Sequence, residues 1–330
     1  MHKILILIDT RASNTKQSLA LAYMLQENIS SPVEIDVTNI NFTSLASMPN
    51  FTLPPMLAGR INKPRYSEYD IIISTGRKLA KMLNLAKKQF GNANTKLITI
   101  LNPNMKFSNF DAVLLPNHDD ILDKDDNNVV NFNGSLVYLE TKEIKLEYKK
   151  WNTVINRFHK PYIGLIIGGD SKHGKLKYQD CEDLVTTANT IAHNMDGTLL
   201  ITTSRRTPDY FQEIARNNLT CSYYLFDYNN ACNPKHNPYT AYLGISDYFI
   251  ITGDSISMIS ELCETSKPVY LYINGICGKK HLKFIEITIQ NNSTRILTPD
   301  LHVLTKFTSK SINNKAIIVQ RILQKINFLK

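Results

Sequence analysis

The sequence predicts an α/β protein built from two successive parallel-sheet units, and three observations lead there. Short apolar, β-branched runs alternate with helical patterns. The alternation stops in a polar stretch after Asp119 and starts again near Tyr162. The strand-like runs also tend to end in glycine, hydroxyl or charged residues rather than in more apolar ones. Strands alternating with helices imply a parallel sheet covered on both faces. At 330 residues the chain is long enough for two ordinary domains.

ILILI (4–8) predicts the first strand and KQSLALAYMLQENI (16–29) the first helix, with Leu19, Ala22, Tyr23 and Gln26 at helical spacing. DIIIST (70–75) and RKLAKMLNLAKKQF (77–90) repeat the pair, and KLITIL (96–101) and AVLLP (112–116) add strands. From Asp119 to Lys150 the chain turns polar around DDILDKDDNN, which reads as a loop. The pattern resumes with YIGLIIGG (162–169), a helix over 178–194, TLLITTS (198–204) and a helix over 208–217. It continues with CSYYLFD (221–227), YFIITG (248–253), a helix from Ser255 to about Thr265, and PVYLY (268–272). The tail from Ser311 to Lys330 predicts a helix with Ile312, Ala316, Val319, Leu323 and Ile326 on one face. The expected organisation is a first domain over 1–152, a second over 160–310, and a basic amphipathic helix over 311–330.

Composition excludes several classes. A hydrophobic content of 43% argues against disorder, and the net charge of +9 invites an acidic partner without choosing one. Six of those charges lie between Leu301 and Lys330, where no Asp or Glu offsets them. The five cysteines form no CxxC pair and read as reduced thiols of a cytosolic protein. The N-terminal run is too short for a signal peptide, and no stretch approaches the ~20 apolar residues needed to cross a bilayer. Basic residues are not interleaved with aromatics, so nucleic acid is not an expected partner.

Ligands of open parallel sheets sit beyond the carboxyl ends of the strands. In IIGGDSKHGK (166–175), Gly168 and Gly169 would let backbone approach a phosphate, with Ser171, Lys172 and His173 as donors; a tight structural turn would explain the same glycines. In TTSRRTP (202–208), Thr203 and Ser204 precede Arg205 and Arg206. Guanidinium is hard to bury without an anion, so at least one arginine is expected to meet phosphate and the other to be solvated or paired internally. In ITGDSISMISELCE (251–264), Asp254 or Ser255 would cap a helix whose first amides, near Ile256–Met258 and including Ser257, point at a ligand. Glu261 would accept hydrogen bonds from two vicinal hydroxyls, as on a ribose. In the first half, Gly76, Arg77 and Lys78 would face an acceptor, and His118 beside Asp119 would form an oriented base. A metal at His118, Asp119 and Asp120 is not expected, because adjacent side chains do not converge. Without GxGxxG after any strand, an epimerase or dehydrogenase is not expected either.

GRKLAKML, LNPN, FDAVLLPNHDD, IGGDSKH, LLITTSRRTP and NPYTAYLGISDYFIITGDSISMISELCETSKPVY resemble, in this order, the motifs of the mitochondrial fission "elongated mitochondria" family over about 69–272. That family is in turn similar to GT-B glycosyltransferases, two Rossmann-like domains facing a cleft with a C-terminal helix crossing back to the first. The resemblance to the peptidoglycan N-acetylglucosaminyltransferase implies that Gly169, Ser171, Ser260, Glu261 and Lys267-Pro268 hold the donor. It also implies that Glu261 binds ribose, that Ser255, Ile256 and Met258 border pyrophosphate, and that the loop at Leu225–Asp227, with Phe226, borders the base. Three positions depart from the pattern: TRASNTKQ lacks a glycine before Gln17, Asn117 stands for Glu, and Ser266 for Gly.

The leading expectation is therefore a metal-independent glycosyltransferase or nucleotide-sugar-binding protein. Its donor would be a nucleoside diphosphate sugar, its acceptor an envelope lipid or polysaccharide, and no cofactor would be required. It would be cytoplasmic and peripheral on the inner membrane face, its basic tail meeting anionic lipid. The alternative is a non-catalytic module binding a membrane or division protein, with a relic cleft.

Overall fold

Ile4, Leu5, Ile6 and Leu7 are all fully buried, so the first strand is covered on both faces, as a central parallel strand has to be. In this computed structural model, residues 1–47, 54–119, 121, 127–171, 174–232 and 236–328 are described. Two units emerge: Met1–Tyr138 with Asn313–Lys330, and Leu139–Ile312.

The first unit contains β1 (His2–Ile8), α1 (Ala12–Asn28), β2 (Val33–Phe42), α2 (Pro55–Ala58), β3 (Gly59–Ile61), β4 (Ile71–Thr75) and α3 (Arg77–Phe90). β5 (Lys96–Ile100), β6 (Ala112–Pro116) and β7 (Val129–Phe132) follow. The sheet order is β3-β2-β1-β4-β5-β6-β7, parallel except for the edge pair β2 and β3. Ile4, Ile6, Ile71, Ile73 and Ile98 face one core, while Leu5, Leu7, Ile72 and Leu97 face the other against α3.

The second unit contains α4 (Thr141–Ile155), β8 (Tyr162–Ile166), α5 (Tyr178–Asn194), β9 (Thr198–Thr202), α6 (Tyr210–Asn218) and β10 (Ser222–Phe226). α7 (Tyr239–Ile245), β11 (Tyr248–Thr252), α8 (Ile256–Cys263), β12 (Val269–Tyr272), α9 (Lys279–Gln290) and β13 (Arg295–Ile296) complete it. Its order, β10-β9-β8-β11-β12-β13, is parallel throughout. Each sheet reverses its winding once, between β1 and β4 and between β8 and β11. Such a reversal sends the two outgoing loops to opposite faces and leaves room for a ligand at the strand ends.

The expected boundary at 152–160 moves to 138–139. The stretch read as a polar loop carries β7 and α4, and α4 belongs to the second unit. Its Ile155 is fully buried in that unit's core, and its Trp151 meets Tyr224 and Phe226 edge to face at 6.0 and 6.2 Å. The lysines along α4 hid this: Ile155 is its one buried residue.

The tail helix, α10 (Lys315–Lys325), packs into the first unit's core. Its buried face is Ile318, Val319, Ile322, Leu323 and, just beyond, Ile326. Ala316 is exposed, and Ile312 packs in the second unit's core. The stripe of α1 is also rotated: Leu21, Met24 and Leu25 are buried, while Gln26 donates to the Val33 carbonyl at 2.7 Å.

All five cysteines are free thiols. Burial pushes Cys181 and Cys263 from the ordinary 9.0 up to about 12. A thiol that stays protonated in the fold but ionises at 9.0 when unfolded stabilises fully below pH 9, and that stability is lost as pH rises towards 12. Lys267, lowered by burial to about 8, acts oppositely between pH 8 and 10.5. Each group contributes a slope of about 1.4 kcal/mol per pH unit. Two thiols outweigh one amine, so stability is expected to fall above pH 9. Replacing both Cys181 and Cys263 by alanine should flatten that fall in urea unfolding at pH 8 to 10.5.

Candidate functional site at the second switch point

The loops leaving β8, β9 and β11 meet around one carboxylate. The Asp254 side chain is 0% exposed. Its Oδ1 accepts from the Thr252 hydroxyl at 2.6 Å, and its Oδ2 from the Gly169 amide at 3.1 Å and Arg206 Nη2 at 3.2 Å. Thr252 in turn accepts from the Gly168 amide at 2.8 Å. Arg206 Nη1 donates to the Asp170 carbonyl at 3.0 Å, and the Asp170 amide donates back to the Arg206 carbonyl at 2.9 Å. The three strand ends singled out in the sequence thus lie together.

The role of the glycines differs from the expectation. A Cβ on Gly168 would sit 2.5 Å from Asp254 Cγ, and one on Gly169 would run into the Arg206 carbonyl, 2.5 Å from the Thr207 nitrogen. The close approach that demands glycine is made by the protein's own groups, and both amides are spent on them. Ser171 closes the turn by an antiparallel bridge to Gly174. Lys172 and His173 lie outside the described residues.

The two arginines separate. Arg206 is held on Asp254, whereas Arg205 is exposed and, among the described residues, makes no hydrogen bond or ion pair. Thr203 and Ser204 face inward: Thr203 Oγ1 bonds Asp227 Oδ1 at 3.4 Å and accepts from the Tyr228 amide at 2.9 Å, and Ser204 Oγ donates to the Gly168 carbonyl at 3.1 Å. Phe226, expected to border a base, is 8% exposed and packs on Trp151 instead.

Ser255, not Asp254, caps α8, its hydroxyl accepting from the Met258 amide at 3.4 Å. Ser257 and Met258 are half-buried in that first turn. Ser260 is turned back on the Ile256 carbonyl at 2.7 Å, so its hydroxyl is engaged within the helix. Glu261 is 6% exposed. Burial, followed by the charge of Glu261, pushes the Tyr239 phenol well above its ordinary range, so Tyr239 lies near this carboxylate. Tyr239 gave no signal in the sequence; its place at the start of α7 is fixed by Asn237, which accepts from both Thr202 and the Tyr239 amide. Lys267, expected in a donor-holding turn, caps α7 through the Leu243 and Gly244 carbonyls at 2.8 and 2.7 Å.

In the first unit, Gly76 has φ +87° and opens α3 at the end of β4, with Arg77 and Lys78 in the first turn. His118 is 6% exposed, and its Nε2 lies 3.9 Å from Asp119 Oδ1. That is ion-pair distance, longer than a hydrogen bond. Asp120 lies outside the described residues. Among the described residues no group of three or more His, Cys, Asp or Glu is placed to hold a metal, and no helix is long and apolar enough to cross a membrane.

An α/β chain with two mostly parallel sheets, each wound as a Rossmann-like unit of the GT-B kind, defines the class. Over residues 12–326 the sequence matches the Mitochondrial fission ELM1 family, and the chain belongs to that family. It is 28% identical to "Uncharacterized protein RP120" of Rickettsia prowazekii (strain Madrid E) over 97% of each chain. It is 23% identical to the mitochondrial fission protein ELM1 of Arabidopsis thaliana, over 76% of this chain and 62% of that protein. The fold resembles that of a Listeria monocytogenes protein assigned as a UDP-N-acetylglucosamine 2-epimerase. The TM-score is 0.55 at 12% identity, covering 98% of this chain and 88% of that one.

Proposed function

We propose that the second unit binds a nucleoside diphosphate sugar at its switch point, and that the protein is a GT-B-type glycosyltransferase or a close relative. The observation that carries this reading is the meeting of the loops leaving β8, β9 and β11 at Asp254, immediately before the Ser255-capped start of α8, with Arg205 exposed on the β9 loop. The helix start offers backbone amides and the positive end of a dipole, and the guanidinium adds a full charge. Together they would stabilise a leaving diphosphate without a metal. Glu261, buried near Tyr239, would accept from the ribose hydroxyls. The acceptor would be an envelope lipid or polysaccharide.

One observation favours a second reading. The glycine turn and Arg206 are already satisfied internally, as in a non-catalytic module whose site has lapsed. The basic tail would not be its membrane anchor, because the apolar face of α10 is buried in the first unit. Calorimetric titration with UDP, GDP and ADP sugars separates the readings. The first expects one base series to bind, and Glu261→Gln to weaken it about tenfold by removing a charged acceptor. Silence with every donor on folded protein leaves only the second.

A further inference from the structure

The groups gathered on Asp254 are those that ordinarily gather on a bound phosphate: a backbone amide of a glycine turn, a hydroxyl at a strand end and a guanidinium. Here a fully buried side chain receives them all. Gly168 is glycine because the carboxylate lies where a Cβ would be. The amide of the next residue, Asp170, is also taken, by the Arg206 carbonyl. We infer that Asp254 is a built-in anion and a specificity-determining residue: it fills the phosphate position of the glycine turn and leaves Arg205 and the start of α8 to meet the ligand.

The consequence follows from charge. One guanidinium and one helix terminus suit a diphosphate esterified at both ends, which carries two negative charges. A free diphosphate or a triphosphate brings more charge and would need Arg206, which Asp254 already balances, and it would feel repulsion from that carboxylate. This inference deepens the reading of a nucleoside diphosphate sugar, yet it is testable without one.

The probe is inorganic pyrophosphate, titrated by calorimetry in metal-free buffer. Asp254→Asn keeps the shape and removes the charge, and it should bind pyrophosphate about tenfold more tightly than the wild type, the scale of one unbalanced charge at a partly solvated site. Adding Arg206→Ala should abolish that gain. No gain, or a gain that persists without Arg206, overturns the inference. Should Asp254→Asn not fold, amide exchange on the wild type decides. Gly169 protected without ligand and unaltered by saturating pyrophosphate supports the built-in anion; protection that appears only with pyrophosphate refutes it. A protein that binds no sugar nucleotide while Asp254→Asn gains pyrophosphate would defeat the proposed function and leave this inference standing.

Discussion

Gly169→Ala is expected to lower the melting temperature of the second unit by about 10 °C, from a loss of about 3 kcal/mol. The new methyl would meet the backbone of Arg206 and Thr207, not a side chain that can swing away. Relief would require parting the β8 and β9 loops, which breaks the hydrogen bond from the Asp170 amide to the Arg206 carbonyl and strips Asp254 of a donor. Gly275→Ala is the control, because nothing lies within 4 Å of its Cβ position. It should change stability by no more than about 0.5 kcal/mol. Circular dichroism melts of both variants check the pair, and similar melts would show that the turn is not packed as described.

The second large effect separates two neighbouring residues of the same type. Arg205→Ala should weaken binding of the cognate sugar nucleotide by tenfold or more, about 1.4 kcal/mol, and leave the melting temperature unaltered. Arg206→Ala should do the reverse in emphasis. It leaves a buried carboxylate without its guanidinium, which for a fully buried pair costs about 3–5 kcal/mol. The Arg206 side chain is 41% exposed, so solvent screening reduces the expectation to about 2 kcal/mol. Calorimetry and thermal melts on both variants read the split. Equal behaviour of the two would mean that the sequence pair, not the fold, sets their roles.

How much of this was legible in the sequence varies by element. The helices at 77–90 and 178–194 were read to the residue, because α3 and α5 each begin and end at sharp changes of pattern. The strands flanking the second switch point were equally plain, each a fully buried apolar run. β2 was missed, since Asp36, Thr38, Asn39 and Asn41 interrupt its apolar residues. α4 was missed because its contact with the core runs through Trp151 and Ile155, while lysines dominate the rest.

In the site, the sequence located the right strand ends but not the direction of each side chain. Nothing local distinguishes Arg205 from Arg206; the distinction arises because Asp254, in the turn after β11 and far away in the chain, reaches one of them. Nor does a GG pair reveal whether the backbone makes room for a ligand or for a carboxylate of the same protein. The domain boundary failed for a related reason: a sparsely buried helix is assigned by the few residues it shares with a core.

The most direct measurement of the central claim is an amide-detected NMR titration of the labelled protein with the sugar nucleotide that calorimetry selects. The account predicts saturable shifts at Ser255 to Met258 and at Arg205, with Gly168 and Gly169 moving little because Thr252 and Asp254 already hold their amides. Shifts confined to residues outside the strand ends of the second unit, with Arg205 and the start of α8 unmoved, would contradict it.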